Sequence, residues 1–327
     1  MATIVRFSRP WDRTIAMLHQ TEPHEFASLD ALRGLAILLV IVAHFGEGLT
    51  GREMAVFLAN AGVILFFFRS GFLMDRALAL DRNLSAYAIR RAFRILPMYW
   101  LSLLLVAAWA GGNWTLGQLL ANATFTAPVF KSERMLGVYW TLYIEVLFYC
   151  IAPLLSRAGD RAIHLSTYVA LLGFGSMLLF RDVGSGAPFY LFFCLCGMQI
   201  GAWYRGKLGG YQLAASIAAV SICASLLLPV SIYLGLVPLG CAALLVAGLQ
   251  NPRGFEPLGF FGAISYSWYL LHSIFAASLL ALPIPQWTAL LLTATLTLAL
   301  SVATYIGIER PAIRAGKTMI KKWRTAS

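Results

Sequence analysis

Charge is scarce in this chain. Only 12% of its 327 residues are Asp, Glu, Lys or Arg, and just 14 are acidic, where a soluble domain carries about a quarter of its residues as charge. With 60% hydrophobic residues and a mean hydropathy of +0.75, the sequence is that of an integral membrane protein. Long polar stretches are missing too: the largest gaps between apolar runs lie near 75–94 and 113–135, too short for a second soluble domain. Residues 1–29 are too long and mixed for the charged region of a signal peptide, and no convincing small-x-small cleavage site follows the first apolar run, so that run should stay in the mature protein. The five cysteines (Cys150, Cys194, Cys196, Cys223, Cys241) sit in apolar runs without metal-ligand spacing, which argues for small core residues and against a disulfide or a metal centre. No repeat of fixed period is visible, which weakens an inverted-repeat transporter architecture.

Apolar runs are what the chain has in abundance. Runs able to cross a bilayer core of about 30 Å lie near 31–49, 54–74, 95–112, 136–155, 163–180, 187–203, 211–229, 231–249, 258–281 and 286–308. The expectation is an all-α, polytopic integral membrane bundle of about ten transmembrane helices. Most of the 25 Lys and Arg residues fall in alternate connections, among them Arg76, Arg82, Arg90, Arg91, Arg94, Arg157, Arg161, Arg205, Lys207, Arg253 and the run from Arg310 to Arg324. The opposite connections and the second run hold Arg52, Arg69, Lys131, Arg134 and Arg181. Positive-inside anchoring then puts both termini in the cytoplasm, and acidic lipid heads account for the net charge of +11 without a nucleic acid partner.

Against this apolar background the ionisable groups stand out, because a charged side chain in the bilayer centre costs roughly 2.5–3.5 kcal/mol on insertion scales. Arg33 and His44 are eleven residues apart in the first run. Eleven helical steps return to within about 20° of the same face and rise roughly 16 Å, so one helix shows both groups to one side at two depths. Ser28 or Asp30 is a plausible N-cap, and Asp30 can pair with Arg33 at i, i+3. A neutral imidazole at His44 can take a hydroxyl proton at neutral pH. Arg91 and Arg94 lie one turn apart on the segment leading to Pro97, Tyr99 and Trp100, and their planar forks suit phosphate oxygens, although positive-inside anchoring alone also explains them. Arg69, in Phe66-Phe67-Phe68-Arg69-Ser70-Gly71, must either snorkel or meet an anion.

Two further lines carry polar groups. Thr141, Glu145 and Tyr149 follow at i, i+4, i+8 beside Trp140; the buried carboxylate needs a cation or a donor, and it can orient a histidine, bind a sugar hydroxyl or pair with an arginine. Ser265, Tyr269 and His272 share a face and either line a sugar site or satisfy one another. Gly197-x-x-x-Gly201 reads as a helix-packing face, and Glu309-Arg310-Pro311 as the stop of the last span, with Glu309 balancing the arginine cluster.

In this order the segments resemble the acyltransferase family 3 membrane proteins: Leu29-Asp30-Ala-Leu-Arg33-Gly34 with Arg33-x10-His44; Phe66-Phe67 and Ser70-Gly71-Phe72-Leu73; Arg91-x-x-Arg94 with Pro97 and Tyr99; Trp140-Thr141-Leu142 with Glu145 and Phe148-Tyr149; Ser265-Tyr266 with Tyr269-Leu270 and His272; and Glu309-Arg310-Pro311. The resemblance implies a bundle that takes an acyl group, usually acetyl, from cytoplasmic acyl-CoA as donor substrate and places it on a carbohydrate or lipid-linked glycan hydroxyl. It implies a bacterial inner membrane location, a 30–312 membrane domain flanked by a cytoplasmic segment 1–29 and a basic cytoplasmic tail 313–327, and no soluble domain after it. Carried over by residue, the family's essential arginine and histidine fall on Arg33 and His44 and its paired arginines on Arg91 and Arg94. His44 and Glu145 are thus the expected catalytic pair, Arg33, Arg91 and Arg94 the expected donor-binding groups, and Trp140, Tyr149, Tyr269 and His272 the expected acceptor-binding groups. Arg69 departs from the pattern, which usually has an apolar residue there. A transporter or flippase of a sugar or lipid-linked intermediate, with His44, Glu145 and His272 relaying protons, is the rival reading.

Overall fold

In the computed structural model, residues 26–109, 114–165, 167–168, 189–227, 235–251, 253–280 and 283–326 are described. Helices carry them, and no strand occurs among the described residues. This suits an apolar setting, where a helix satisfies its backbone polar groups internally. In chain order these are α1 (Ala27–Thr50), α2 (Arg52–Leu80), α3 (Leu84–Trp109), α4 (Leu116–Ala123), α5 (Tyr139–Ala158), α6 (Tyr190–Tyr204), α7 (Gly210–Leu227), α8 (Leu236–Gln250), α9 (Glu256–Leu280) and α10 (Gln286–Thr304). A π-helical turn at Tyr305–Glu309 then leads into α11 (Arg310–Ala326).

The helices α1, α2, α3, α5 and the continuous α10–α11 rod are long and apolar enough to span a membrane, and α6, α7 and α8 are shorter apolar helices. The expected span at 163–180 and the turn at Arg181 lie largely outside the described residues. Two expected boundaries are corrected. The arginine segment before Pro97 is itself helical, so α3 begins at Leu84. The last span does not stop at Pro311: the proline falls in the first turn of α11, where a fixed φ and a missing N–H are tolerated, and the widened π-turn just before it absorbs the change of register.

α1 lies between α2 and α9, with α6 beyond α2 and α10 beyond α9; α5 packs against α2, and α3 against α9 and α11. Glycine sets the two closest crossings. A Cβ on Gly34 of α1 would stand 1.8 Å from the Leu258 carbonyl oxygen, and one on Gly262 of α9 2.1 Å from that of Asp30. Likewise a Cβ on Gly71 of α2 would meet the Cys194 carbonyl at 1.9 Å and one on Gly197 of α6 that of Phe68 at 2.1 Å. Gly197 is therefore the packing contact its spacing suggested, and the backbones touch because no side chain intervenes. The α1 N-terminus differs from expectation: Phe26 is the N-cap, with no side-chain cap bond, and the Ser28 hydroxyl donates instead to the Gly248 carbonyl of α8 at 2.7 Å.

Candidate active site

Between the α2–α1–α9 row and the α3–α5 pair lies a cavity of 320 Å³ lined from six helices and the π-turn. Its wall holds Asp30 and Arg33 of α1, Arg69 and Ser70 of α2, Arg90, Arg91 and Arg94 of α3, Thr141, Glu145 and Tyr149 of α5, Tyr266 and Tyr269 of α9, and Ile313 and Lys317 of α11. One end is thus crowded with guanidinium groups and reaches the exposed Lys317. The other end narrows onto Val63, Phe67, Thr141 and Tyr269.

Several of the cations are already neutralised. Arg69 donates through Nε to the Leu29 carbonyl at 2.9 Å and pairs with Asp30 at 3.1 Å. The anion that Arg69 required is thus the Asp30 carboxylate, which turns to α2 rather than to Arg33 on its own helix. Arg94 pairs at 2.7 Å with Glu309, which is 1% exposed and also accepts from the Ser267 hydroxyl at 2.6 Å. Glu309 does balance the arginine cluster, and the π-turn aims it inward. Arg90 pairs with Asp81 at 3.1 Å. Arg33 and Arg91 form no ion pair among the described residues. Arg91 instead lies over the rings of Tyr149 and Tyr87, 5.6 and 5.9 Å from their centroids, and its Nε is buried without a hydrogen-bond partner. A guanidinium held by rings rather than carboxylates has N–H donors left over that can meet an anion.

Along α5 the polar line is assembled as its spacing indicates. Glu145 accepts from the Tyr149 hydroxyl and, at 3.4 Å, from Ser70. One turn towards the far end, Thr141 and Tyr269 share a hydrogen bond of 2.7 Å, and the Tyr269 hydroxyl reaches the Val138 carbonyl at 3.1 Å.

His44 lies beyond this end of the cavity. It is exposed, its ring centroid is 4.9 Å from that of His272, and neither imidazole is part of the cavity wall. Its Nδ1 is 2.8 Å from the Val40 carbonyl. Because a carbonyl only accepts, Nδ1 carries the proton and Nε2 keeps its lone pair, the form a general base needs. Glu145 makes no hydrogen bond to His44 among the described residues: the ring lies against the Val40 carbonyl of its own helix, and the Glu145 hydrogen bonds go to Tyr149 and Ser70. His272 is fully buried and held the same way, with Nδ1 2.8 Å from the Tyr269 carbonyl and Nε2 without a hydrogen-bond partner.

Of the residues singled out in the sequence, Arg33, Arg91, Arg94, Glu145, Tyr149 and Tyr269 come together around one cavity. His44 and His272 meet each other one layer further on. Trp140 does neither: it packs edge-on against Tyr190, with centroids 4.7 Å apart, away from the cavity wall. The sequence assigned no site role to Tyr266, whose hydroxyl donates to the Ile95 carbonyl at 2.9 Å, nor to Ile313 and Lys317. No signal pointed to the last two, since a helix ended at Pro311 would not have carried them to the cavity.

Residues 26–306 match the acyltransferase family 3 profile, described as an acyltransferase domain. The exopolysaccharide production protein ExoZ of Rhizobium meliloti (strain 1021) is 30% identical over 82% of this chain and 93% of its own length. Nodulation protein 10 of Rhizobium leguminosarum bv. viciae is 24% identical over 85% of this chain and 89% of its own. No solved structure matches the chain. The arginines of the cavity and the histidine beyond it therefore sit within a matched region that covers nearly all the described residues, and this chain belongs to acyltransferase family 3, as a membrane O-acyltransferase.

Proposed function

We propose that the protein moves an acyl group, acetyl above all, from acyl-CoA to a hydroxyl of a cell-surface or lipid-linked carbohydrate in the bacterial inner membrane. The observation that carries this reading is the pair of cavity-lining guanidinium groups that form no ion pair among the described residues, Arg33 and Arg91, the latter with a buried Nε that has no hydrogen-bond partner. A donor that is phosphorylated at one end and a thioester at the other matches that polarity. Arg33 and Arg91 hold its phosphates by charge-assisted hydrogen bonds. Arg94 and Arg69, each already paired with a carboxylate, add positive field at the same end. On the positive-inside rule this end faces the cytoplasm, where acyl-CoA is supplied.

His44 acts as general base. Its Nε2 takes the acceptor hydroxyl proton while the oxygen attacks the thioester carbonyl; the C–S bond breaks, and the sulfur leaves as a thiol by taking the same proton from the imidazolium. Held on Val40, the ring keeps Nε2 available at each turnover. The printed name of ExoZ supports a polysaccharide acceptor.

The test compares cell-envelope and secreted glycans by mass spectrometry with and without the protein, alongside CoA-thiol release by the purified enzyme. An acetyl group missing from one sugar, together with thiol release that His44→Ala abolishes, is expected. Full transfer by His44→Ala overturns the assignment of the base, and movement of a glycan without thiol release favours the transport reading.

A further inference from the structure

The cavity stops one turn short of the histidines. On α9, Tyr269 closes its far end while His272, three residues on and about 4.5 Å further along the axis, touches His44 instead. The ring of Tyr269 lies in the cavity wall, 5.9 Å from that of His272 and 6.4 Å from that of Phe66. It is held there from α5, because its hydroxyl is tied both to the Thr141 hydroxyl at 2.7 Å and to the Val138 carbonyl at 3.1 Å. His44, on the other side, is exposed.

We infer that Tyr269 and Thr141 form a latch that separates the donor thioester from the base, and that this latch decides between the acceptor hydroxyl and water. The inference rests on the function proposed above. A base exposed at the protein surface, once water reaches it and it is joined freely to a bound thioester, activates that water: the water oxygen attacks the carbonyl, the C–S bond breaks, and acetate and CoA thiol leave. Closed, the Tyr269 ring keeps the thioester from His44. The passage opens when the ring turns out of the Thr141 and Val138 bonds, and an acceptor that fills the space beside His44 and His272 offers its hydroxyl in place of water. Tyr269 is thus a specificity-determining residue, and Thr141 positions it.

The test is acetyl-CoA hydrolysis, followed as free thiol, by the full-length purified protein in lipid nanodiscs without any acceptor. Wild type is expected to hydrolyse slowly. Tyr269→Phe keeps the ring and loses both bonds, whereas Thr141→Val keeps the shape and loses one; each should raise hydrolysis about three- to tenfold, the range expected from one or two lost neutral hydrogen bonds. Tyr139→Phe serves as control: it removes an equally buried hydroxyl bond, to Ser102, away from the cavity, and should leave hydrolysis at the wild-type level. Unchanged hydrolysis in both latch variants, or an equal rise in the control, overturns the latch. Failure of the latch is separable from failure of the proposed base. Transfer retained by His44→Ala removes the base and leaves the latch measurable, while wild-type hydrolysis in Tyr269→Phe removes the latch and leaves the base.

Discussion

The two ends of the site solve different physical problems. The arginine end gathers Arg33, Arg69, Arg90, Arg91, Arg94 and Lys317 around a cavity whose acidic lining residues, among those described, are Asp30 and Glu145, and it reaches the protein surface at Lys317. The histidine end has two imidazoles, each tied through Nδ1 to a carbonyl of its own helix. Permanent charge is tolerable where lipid headgroups and water are near, and costly deeper in the bilayer. Arg33 and His44 are separated by a rise of about 16 Å along one helix, as their eleven-residue interval requires.

The largest effect expected breaks this division at the histidine end. His44→Ala should lower kcat by about 10²–10⁴, the usual share of a general base, with little change in the KM for acetyl-CoA. The opposite signature is expected at the other end: Arg33→Ala or Arg91→Ala should raise the donor KM roughly 10- to 100-fold, as loss of a charge-assisted hydrogen bond does, with kcat largely kept at saturating donor. Steady-state kinetics on the purified variants checks both, and a His44 variant that loses affinity for the donor would erase the distinction. Gly34→Ala should hurt both ends together, since its Cβ would strike the Leu258 carbonyl and push α1 off α9. About 1–3 kcal/mol of stability should be lost, read as a fall in the thermal midpoint together with activity.

The smallest effect concerns the outer rim of the arginine end. Asp81, between α2 and α3, pairs with Arg90 and with Arg324 of α11. Partial burial pulls its pKa up, but the Asn83 N–H, Arg90 and Arg324 outweigh that and hold it below the ordinary 3.8. Because the folded-state value is the lower one, this clasp contributes above pH 3.8 and is lost as pH falls further. Asp81→Asn should therefore lower the thermal midpoint slightly near neutral pH, and the difference from wild type should shrink in strong acid.

Much of the site was legible in the sequence because helical spacing translates directly into shared faces. Thr141, Glu145 and Tyr149 were placed on one line by period alone, and they line one cavity. Arg91 and Arg94 were paired the same way. Partners across helices were not legible. Asp30 could answer Arg33 by spacing, yet it answers Arg69, because Gly34 and Gly262 bring α1 against α9 and leave the Asp30 side chain facing α2. The reach of the C-terminal segment was hidden by a sound rule: a proline usually ends a helix. At Pro311 the rule yields, since the residue falls in a first turn after a π-turn.

By itself the sequence determined that the chain lives in a membrane, that few ionisable groups fall in its apolar helices, and which of those groups share a helix face. These follow from composition and from a fixed rise and turn per residue, which need no knowledge of neighbours. Only the tertiary structure decided which arginines are paired with carboxylates, which carbonyl lies against the His44 ring, and that Tyr269 lines the cavity. Those outcomes depend on which backbones approach closely enough for side chains from distant segments to meet, and no local period encodes that.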